Sequence, residues 1–326
     1  MRVEIIRVEA CNYLGLIRCP SCTGELEFDG RNSLLCRTSG CGALYPVRNG
    51  VPILINESNS IFDLSEYTTR SDLTFNRNSL YITRLINSLT PSISHSLSAK
   101  RIVRIFVERL RSVCDHSRVL IVGGSVEGEG TSLLYTAEDI ELVETDVSFG
   151  QRTQIICDCH DLPFESDHFD GVLIQAVLEH VIDPVRCVSE IHRVLKPGGI
   201  VYSETPFMQQ VHMGRFDFTR YTHLGHRRLF RFFEEIESGV SAGSGMVLAW
   251  SVRSFLMNFS MGNKKARKIL RVISMMLTFW LKYFDYILVR SPEAYDSGSG
   301  YYFIGSKSNT SFNDRELILG YRGAQQ

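Results

Sequence analysis

From Arg118 onward the chain alternates short apolar runs with glycine-rich turns and amphipathic stretches, and this rhythm restricts the fold more than any other feature. RVLIV (118–122) leads into GGSVEGEG and a short helical TSLLYTA. The runs IELVET (140–145), TQIIC (153–157), DGVLIQAV (170–177) and GIVYSE (199–204) follow, with a helical pattern from Pro184 to Leu195 before the last. Apolar runs this short, with helices between them, read as strands of a parallel sheet covered on both faces. Arg101–Val113 carries apolar residues at 102, 103, 106, 107, 110 and 113, which predicts a helix packed on that sheet. The expected class is therefore α/β, a Rossmann-like doubly wound sheet, with its ligand at the carboxyl ends of the strands.

Ahead of this region lies a different signal. Cys19 and Cys22 form one close pair and Cys36 and Cys41 a second, joined by GELEFDGRNSLLC, which reads as a hairpin turning at Asp29-Gly30. Two such knuckles let four thiolates converge on one ion, and four thiolates leave no open position, so the spacing predicts a structural zinc ribbon. A module this small cannot bury enough surface to fold alone, and metal would supply its folding free energy. The run GALYPVRNGVPILI resembles the zinc-ribbon activators of tRNA methyltransferases. Residues 1–56 hold six Arg against five acidic residues, too balanced for a dedicated RNA-binding ribbon, so a packing or docking role is expected. Nine cysteines, an odd number, fit a reducing cytoplasm better than a disulfide framework. The first residues lack the apolar core of a signal peptide. A net charge of −1 excludes a polyelectrolyte binder acting through the whole chain.

The glycine turn after the first strand permits close approach of backbone to ligand, and acidic residues end the next two strands, Asp146 and Asp158. Downstream stand CDCHDLPFESDHFD, GVLIQAVLEHV and HRVLKPGGIVYSETPF. These segments resemble the small-molecule branch of the class I S-adenosylmethionine-dependent methyltransferases, over about residues 118–206. The resemblance implies S-adenosylmethionine as cofactor. It places Gly123, Gly124 and Gly128 at its amino-acid part, Asp146 on the ribose, Asp158 and Cys159 beside the adenine, and Gln175 and Ala176 at the methionine end. The pattern departs at Ile121, where the family carries an acidic residue, and in the rewritten glycine loop. Glu144 competes with Asp146 for the ribose role.

Between Phe207 and Arg231 there are five Arg, three His, one Asp and no Lys, interleaved with aromatic residues. Arginine suits planar or phosphate anions, so Arg215, Arg220 and Tyr221 are the expected substrate contacts, for an acceptor bearing phosphate or carboxylate. An internal Asp217–Arg220 pair bracing this insertion is the competing reading. His212 and His180 are candidate general bases for a hydroxyl acceptor, and His226 is expected to start a helix RRLFRFFEEI. Methyl transfer requires alignment, exclusion of water and proton removal, with no metal needed at the reacting carbon.

The chain thus divides into a zinc ribbon (1–56), a linker with lid character (57–100), a methyltransferase domain (101–308) with a substrate insertion (206–231), and a loose tail (309–326). The apolar stretches WSVRSFLMNFS and KILRVISMMLTFWLKYFDYILV read as helices. They are expected to pack over the substrate side as core helices; a membrane-surface helix is the competing reading of the second, because Lys264, Lys265, Arg267, Lys268 and Arg271 border its apolar face. The expected function is a cytoplasmic methyltransferase acting on oxygen or nitrogen of an anionic small-molecule or glycan acceptor. An RNA methyltransferase and a non-catalytic scaffold that kept the fold are the competing readings.

Overall fold

The computed structural model describes residues 14–69, 92–93, 96 and 98–324. The expectations for the first residues and for most of the 57–100 linker fall outside these. Eleven strands form one sheet. They are β1 (Leu26–Phe28), β2 (Ser33–Cys36), β3 (Leu44–Arg48), β4 (Val51–Leu54), β5 (Ser117–Val122), β6 (Ile140–Asp146), β7 (Ile155–Cys157), β8 (Phe169–Gln175), β9 (Leu195–Pro206), β10 (Phe233–Ala242) and β11 (Gly300–Lys307). Their order is β1-β2-β3-β4-β7-β6-β5-β8-β9-β11-β10. From β7 through β9 neighbours run parallel, and β11 inserts antiparallel between β9 and β10. The chain reverses direction of growth at β5, which sits between β6 and β8 and creates the switch point where α/β sheets bind ligands.

Strand β5 shows why the sheet is buried on both sides. Leu120 and Val122 point into one core with Val172, Ile174 and Leu178, while Val119 and Ile121 point into the other with Leu173 and Tyr202. Helix α1 (Leu64–Thr69) precedes the domain, and α2 (Ala99–Val113) covers the second core with Ile102, Val103, Phe106, Val107 and Leu110. Each such buried side chain contributes roughly 1.5–3 kcal/mol. Gly171 lets α2 sit close: a Cβ there would lie 2.7 Å from Leu110 Cδ2. The single-turn α3 (Ser132–Tyr135) follows the glycine loop. On the opposite face, α4 (Pro184–Val194) begins with Pro184 and is capped by Asp183, which accepts from Arg186 N–H at 3.1 Å. It buries Cys187, Val188, Ile191 and Val194.

The N-terminal module is not a separate bead. Its β4 pairs in parallel with β7, Ile53 opposite Ile156 and Leu54 opposite Cys157. Ile17 bridges Phe164, and Ile17, Leu26, Leu34, Tyr45 and Val47 share a core with Leu162 and Phe164. The module therefore covers the β7 edge of the main sheet, which would otherwise expose unpaired backbone groups.

Two expectations change here. The segment FFEEI is strand, not helix: α5 (His223–Leu229) starts earlier, capped by Thr222, and β10 begins at Phe233 because that residue pairs with Lys307 across the sheet. His226 lies inside α5, buried, with Nε2 against Ser203 Oγ at 2.9 Å. The two apolar stretches form separate helices, α6 (Ser244–Asn258) and α7 (Lys264–Thr278), and no helix among the described residues is long and apolar enough to cross a membrane. The described part of the tail, 309–324, carries a helix. Helix α8 (Asp314–Leu319) opens with a capping box of Asn313 and Glu316, and Arg322 pairs with Glu235 at 2.6 Å.

Candidate active site

The carboxyl tips of β5, β6, β7, β8 and β9 surround a cavity of about 530 Å³, a size that accommodates a nucleoside-containing small molecule. Its floor is the turn after β5. Gly123 has φ +81°, a left-handed conformation, and a Cβ there would lie 2.3 Å from Val177 Cγ2. Gly123 and Gly124 both donate to the Thr145 carbonyl, at 2.9 and 2.8 Å, tying the turn to β6. At Gly128 a Cβ would lie 2.3 Å from Gln175 Oε1. Gly123 and Gly128 line the cavity. Gly124 does not; it packs against Ile121 and Glu144.

Asp146, at the end of β6, lines the cavity. It accepts from Ser125 N–H at 3.1 Å and from the backbone and hydroxyl of Ser148, both at 2.8 Å. Glu144 points elsewhere, pairing with Arg152 at 2.7 Å and accepting from the Tyr135 hydroxyl at 3.0 Å. Asp158 lines the cavity beyond β7 beside Cys159. Its Oδ1 accepts from His160 N–H at 3.1 Å and faces His160 Nδ1 at 2.5 Å, and its Oδ2 accepts from Ser60 at 2.6 Å. Burial alone would raise the Asp158 pKa, but the bonds from His160 and Ser60 outweigh it and hold the carboxyl below its ordinary value. His160 Nε2 accepts the Asp183 N–H at 3.1 Å, which leaves the proton on Nδ1, facing Asp158.

Gln175 and Ala176 end β8 at the cavity wall. Ala176 has φ +55°, an unusual conformation for a residue with a side chain. Gln175 Nε2 donates to Glu204 at 2.8 Å and to the Glu129 carbonyl at 3.2 Å, while its Oε1 is buried without a hydrogen-bond partner. Glu204 and Glu129 also line the cavity and were not singled out in the sequence; Glu129 sits inside the rewritten glycine loop, the one place that could have flagged it. Burial pushes the Glu129 carboxyl up to about 7, with a bond from Ser96 N–H and the charge of Lys282 opposing and Glu204 reinforcing.

The far end of the cavity is apolar, with Ile61, Phe62, Val181, Ile182, Met213 and Phe216. Phe62 stacks on Phe216, ring centroids 6.1 Å apart. His180 and His212 face this end, their rings 4.8 Å apart. The expected substrate contacts lie elsewhere. Arg220 forms a two-pronged pair with Asp217 and donates to the carbonyls of Gln209 and Thr219, so it braces the loop. Arg215 is exposed, lies over the Phe216 ring at 4.7 Å and borders a smaller hollow with Glu66 and Phe218. Tyr221 does not line the cavity. The cavity thus carries five carboxyl groups, on Glu129, Asp146, Asp158, Glu179 and Glu204, and no Lys or Arg among its described lining residues.

In the N-terminal module the four cysteine sulfurs lie within 4.8 Å of one another. Cys19 and Cys41 are 3.8 Å apart and Cys22 and Cys36 3.4 Å. Thiolates on one tetrahedral zinc stand about 3.8 Å apart, so these residues fit such an ion.

Part of the chain is similar in sequence to known methyltransferases. The ubiquinone/menaquinone biosynthesis C-methyltransferase UbiE of Geotalea daltonii is 31% identical over 98 residues, 28% of this chain and 42% of that protein. A chloroplastic 2-phytyl-1,4-beta-naphthoquinone methyltransferase of Arabidopsis thaliana is 33% identical over 97 residues, 25% of this chain and 37% of that one. The chain spans less than half the length of these curated relatives. Phosphoethanolamine N-methyltransferase 2 of Haemonchus contortus, solved with S-adenosyl-L-methionine, is 16% identical with a TM-score of 0.41, covering 64% of this chain and 52% of that one; the strand order, not this likeness, carries the fold. Residues 123–203 match the family model described as a methyltransferase domain.

Proposed function

We propose that the chain is an S-adenosylmethionine-dependent methyltransferase whose acceptor is a small, largely apolar molecule. The observation that carries this reading is the anionic cavity at the strand tips. S-adenosylmethionine brings a sulfonium and an ammonium against a single carboxylate, and five carboxyl groups with no lining cation complement that charge. When bound, it supplies an electrophilic methyl group. Asp146 Oδ2, with one bond from Ser125 N–H, retains a lone pair for a ribose hydroxyl, and Asp158 Oδ2, with one bond from Ser60, retains one for the adenine edge. Gly123 and Gly128 give the methionine portion room, beside Gln175, Glu129 and Glu204. His180 and His212 stand where an acceptor must approach.

An anionic acceptor fits this site poorly, because the arginines that suggested it are paired or outside. The apolar end suits the kind of acceptor that the quinone-biosynthesis relatives are named for. In this reading zinc on Cys19, Cys22, Cys36 and Cys41 holds the ribbon, and the ribbon's role is structural because its β4 is committed to the sheet. A membrane-facing surface accompanies an apolar acceptor. Phe255 and Phe259 on the α6 side and Met261 in the turn are 63%, 64% and 90% exposed, next to the basic start of α7.

The test is calorimetric titration of the purified chain with S-adenosylmethionine. Asp146→Ala removes a charge-assisted bond worth about 1.5–3 kcal/mol, so affinity is expected to fall about 10- to 100-fold. Absence of binding by the parent protein would overturn the assignment.

A further inference from the structure

Glu179, just after β8, is fully buried, and neither of its carboxylate oxygens has a hydrogen-bond partner. A buried carboxylate left alone is costly, ionised or not. Two imidazoles face it: His180 Nε2 lies 3.5 Å from Glu179 Oε1 and His212 Nε2 3.6 Å from the same atom. The His180 ring is already oriented. His180 Nδ1 sits 2.8 Å from the Phe216 carbonyl, which can only accept, so Nδ1 carries the proton. His212 Nδ1 has an acceptor, Asp217 Oδ2 at 3.4 Å, and a donor, Arg220 Nη2 at 3.5 Å, beside it, so either tautomer of this ring finds a partner, and Asp217 is held in turn by Arg220. His180 Nε2 therefore turns a lone pair toward Glu179 Oε1, and His212 Nε2 does the same when its proton sits on Nδ1, toward Asp217.

We propose that Glu179, His180 and His212 bind one divalent transition-metal ion at the acceptor end of the cavity. The three ligand atoms lie within 4.8 Å of one another. Ligands about 2.1 Å from a shared ion stand about 3.0–3.4 Å apart, so the two Glu179–histidine spacings, 3.5 and 3.6 Å, need to close by only a few tenths of an ångström, and the two imidazole nitrogens, within 4.8 Å of each other, draw together on the ion. Two imidazoles and one carboxylate select Mn2+, Fe2+, Co2+ or Zn2+ over Mg2+ or Ca2+. The Phe216 carbonyl and the Asp217 carboxylate supply the outer contacts that metal-bound histidines keep on their second nitrogen, which gives the Asp217–Arg220 pair a positioning role. The ion's remaining coordination positions face the cavity and fit an acceptor with a hydroxyl oxygen. This second step rests on the methyltransferase reading: the hydroxyl gives its proton to solvent, its oxygen pair forms the bond to the methyl carbon, and the carbon–sulfur pair returns to sulfur.

Titration of the full chain with Mn2+, followed by loss of the free-ion paramagnetic resonance signal, tests the site without interference from the thiolates, which match Mn2+ poorly. One ion per chain is expected. Glu179→Gln and His212→Ala should weaken binding at least about tenfold, and Asp217→Asn by about tenfold, in variants whose melting curves match the parent. If Glu179→Gln does not fold, His212→Asn reads the same loss. A second readout is the Co2+ spectrum, expected to show ligand-field bands without thiolate charge transfer once the ribbon is filled. No Mn2+ or Co2+ binding beyond the ribbon, or binding unchanged in both ligand variants, would overturn the proposal. Calorimetry with S-adenosylmethionine on the same samples separates the two ideas. Metal binding without cofactor binding sinks the methyltransferase reading alone, and cofactor binding without metal sinks this site alone.

Discussion

Replacing Glu129 by Gln probes the electrostatics of the cavity directly. Its carboxyl is pushed up to about 7 by burial, so between pH 6 and pH 8 it passes from largely neutral to largely ionised in the ligand-free protein. A cationic ligand beside it favours the ionised form and drags the pKa down. Binding at pH 6 must therefore expel a proton from about nine molecules in ten, and at pH 8 from about one in ten, so affinity for S-adenosylmethionine should rise about tenfold across this window. The stability term has the opposite sign. A folded-state pKa above the unfolded value favours the fold while the group is protonated, and that contribution is lost as pH climbs through about 7. Calorimetry at pH 6, 7 and 8, at constant ionic strength and in buffers of different ionisation enthalpy, reads both affinity and proton release. In Glu129→Gln the slope and the released proton should largely vanish, leaving only what the lining histidines contribute. A parent protein with flat affinity, or a variant that keeps the full slope, would show that Glu129 does not face the cofactor's positive charge.

Three further outcomes are expected. Gly123→Ala should cost about 1–2 kcal/mol for the left-handed backbone, plus the overlap with Val177; adding Val177→Ala should restore part of the loss in thermal melts and none of it if the clash is not real. Elemental analysis should find one zinc on the ribbon, lost in a Cys19→Ser, Cys22→Ser double variant, with the unfolding midpoint of the main domain lowered by about 5 °C or more because β4 no longer covers β7; an unchanged midpoint would argue that the ribbon is independent. Sedimentation with phosphatidylglycerol vesicles should exceed that with phosphatidylcholine and drop at least about fivefold in a Phe259→Asp, Met261→Glu variant, whereas equal recovery with both lipids would rule out the basic face as the contact.

The periodic segments were readable before any coordinates. Apolar runs at 118–122, 140–145 and 199–204 are strands, the run at 170–177 is strand as far as Gln175, Arg101–Val113 is part of a helix, and Asp146 and Asp158 reach the cavity because strand ends are fixed by local pattern. Misreadings arose where no local pattern decides. Phe232 and Phe233 can sit on a helix or in a strand, and pairing with β11, over sixty residues later, makes β10 a strand. The arginines of the insertion look like anion ligands in one dimension, yet Arg220 spends its charge on Asp217 three residues away.

Linear order therefore dictates which segments become strands and helices, since periodic burial acts over neighbours along the chain. It does not dictate which charges meet. Glu179 and His212 are separated by a crossover helix and a strand, and only the return of the 207–222 loop over the β8 tip, held by Phe218 and Thr219 N–H on the Glu179 carbonyl at 2.8 and 3.2 Å, brings them together. Long-range closure of that kind is set by packing and backbone pairing across the sheet, which no short window of residues contains.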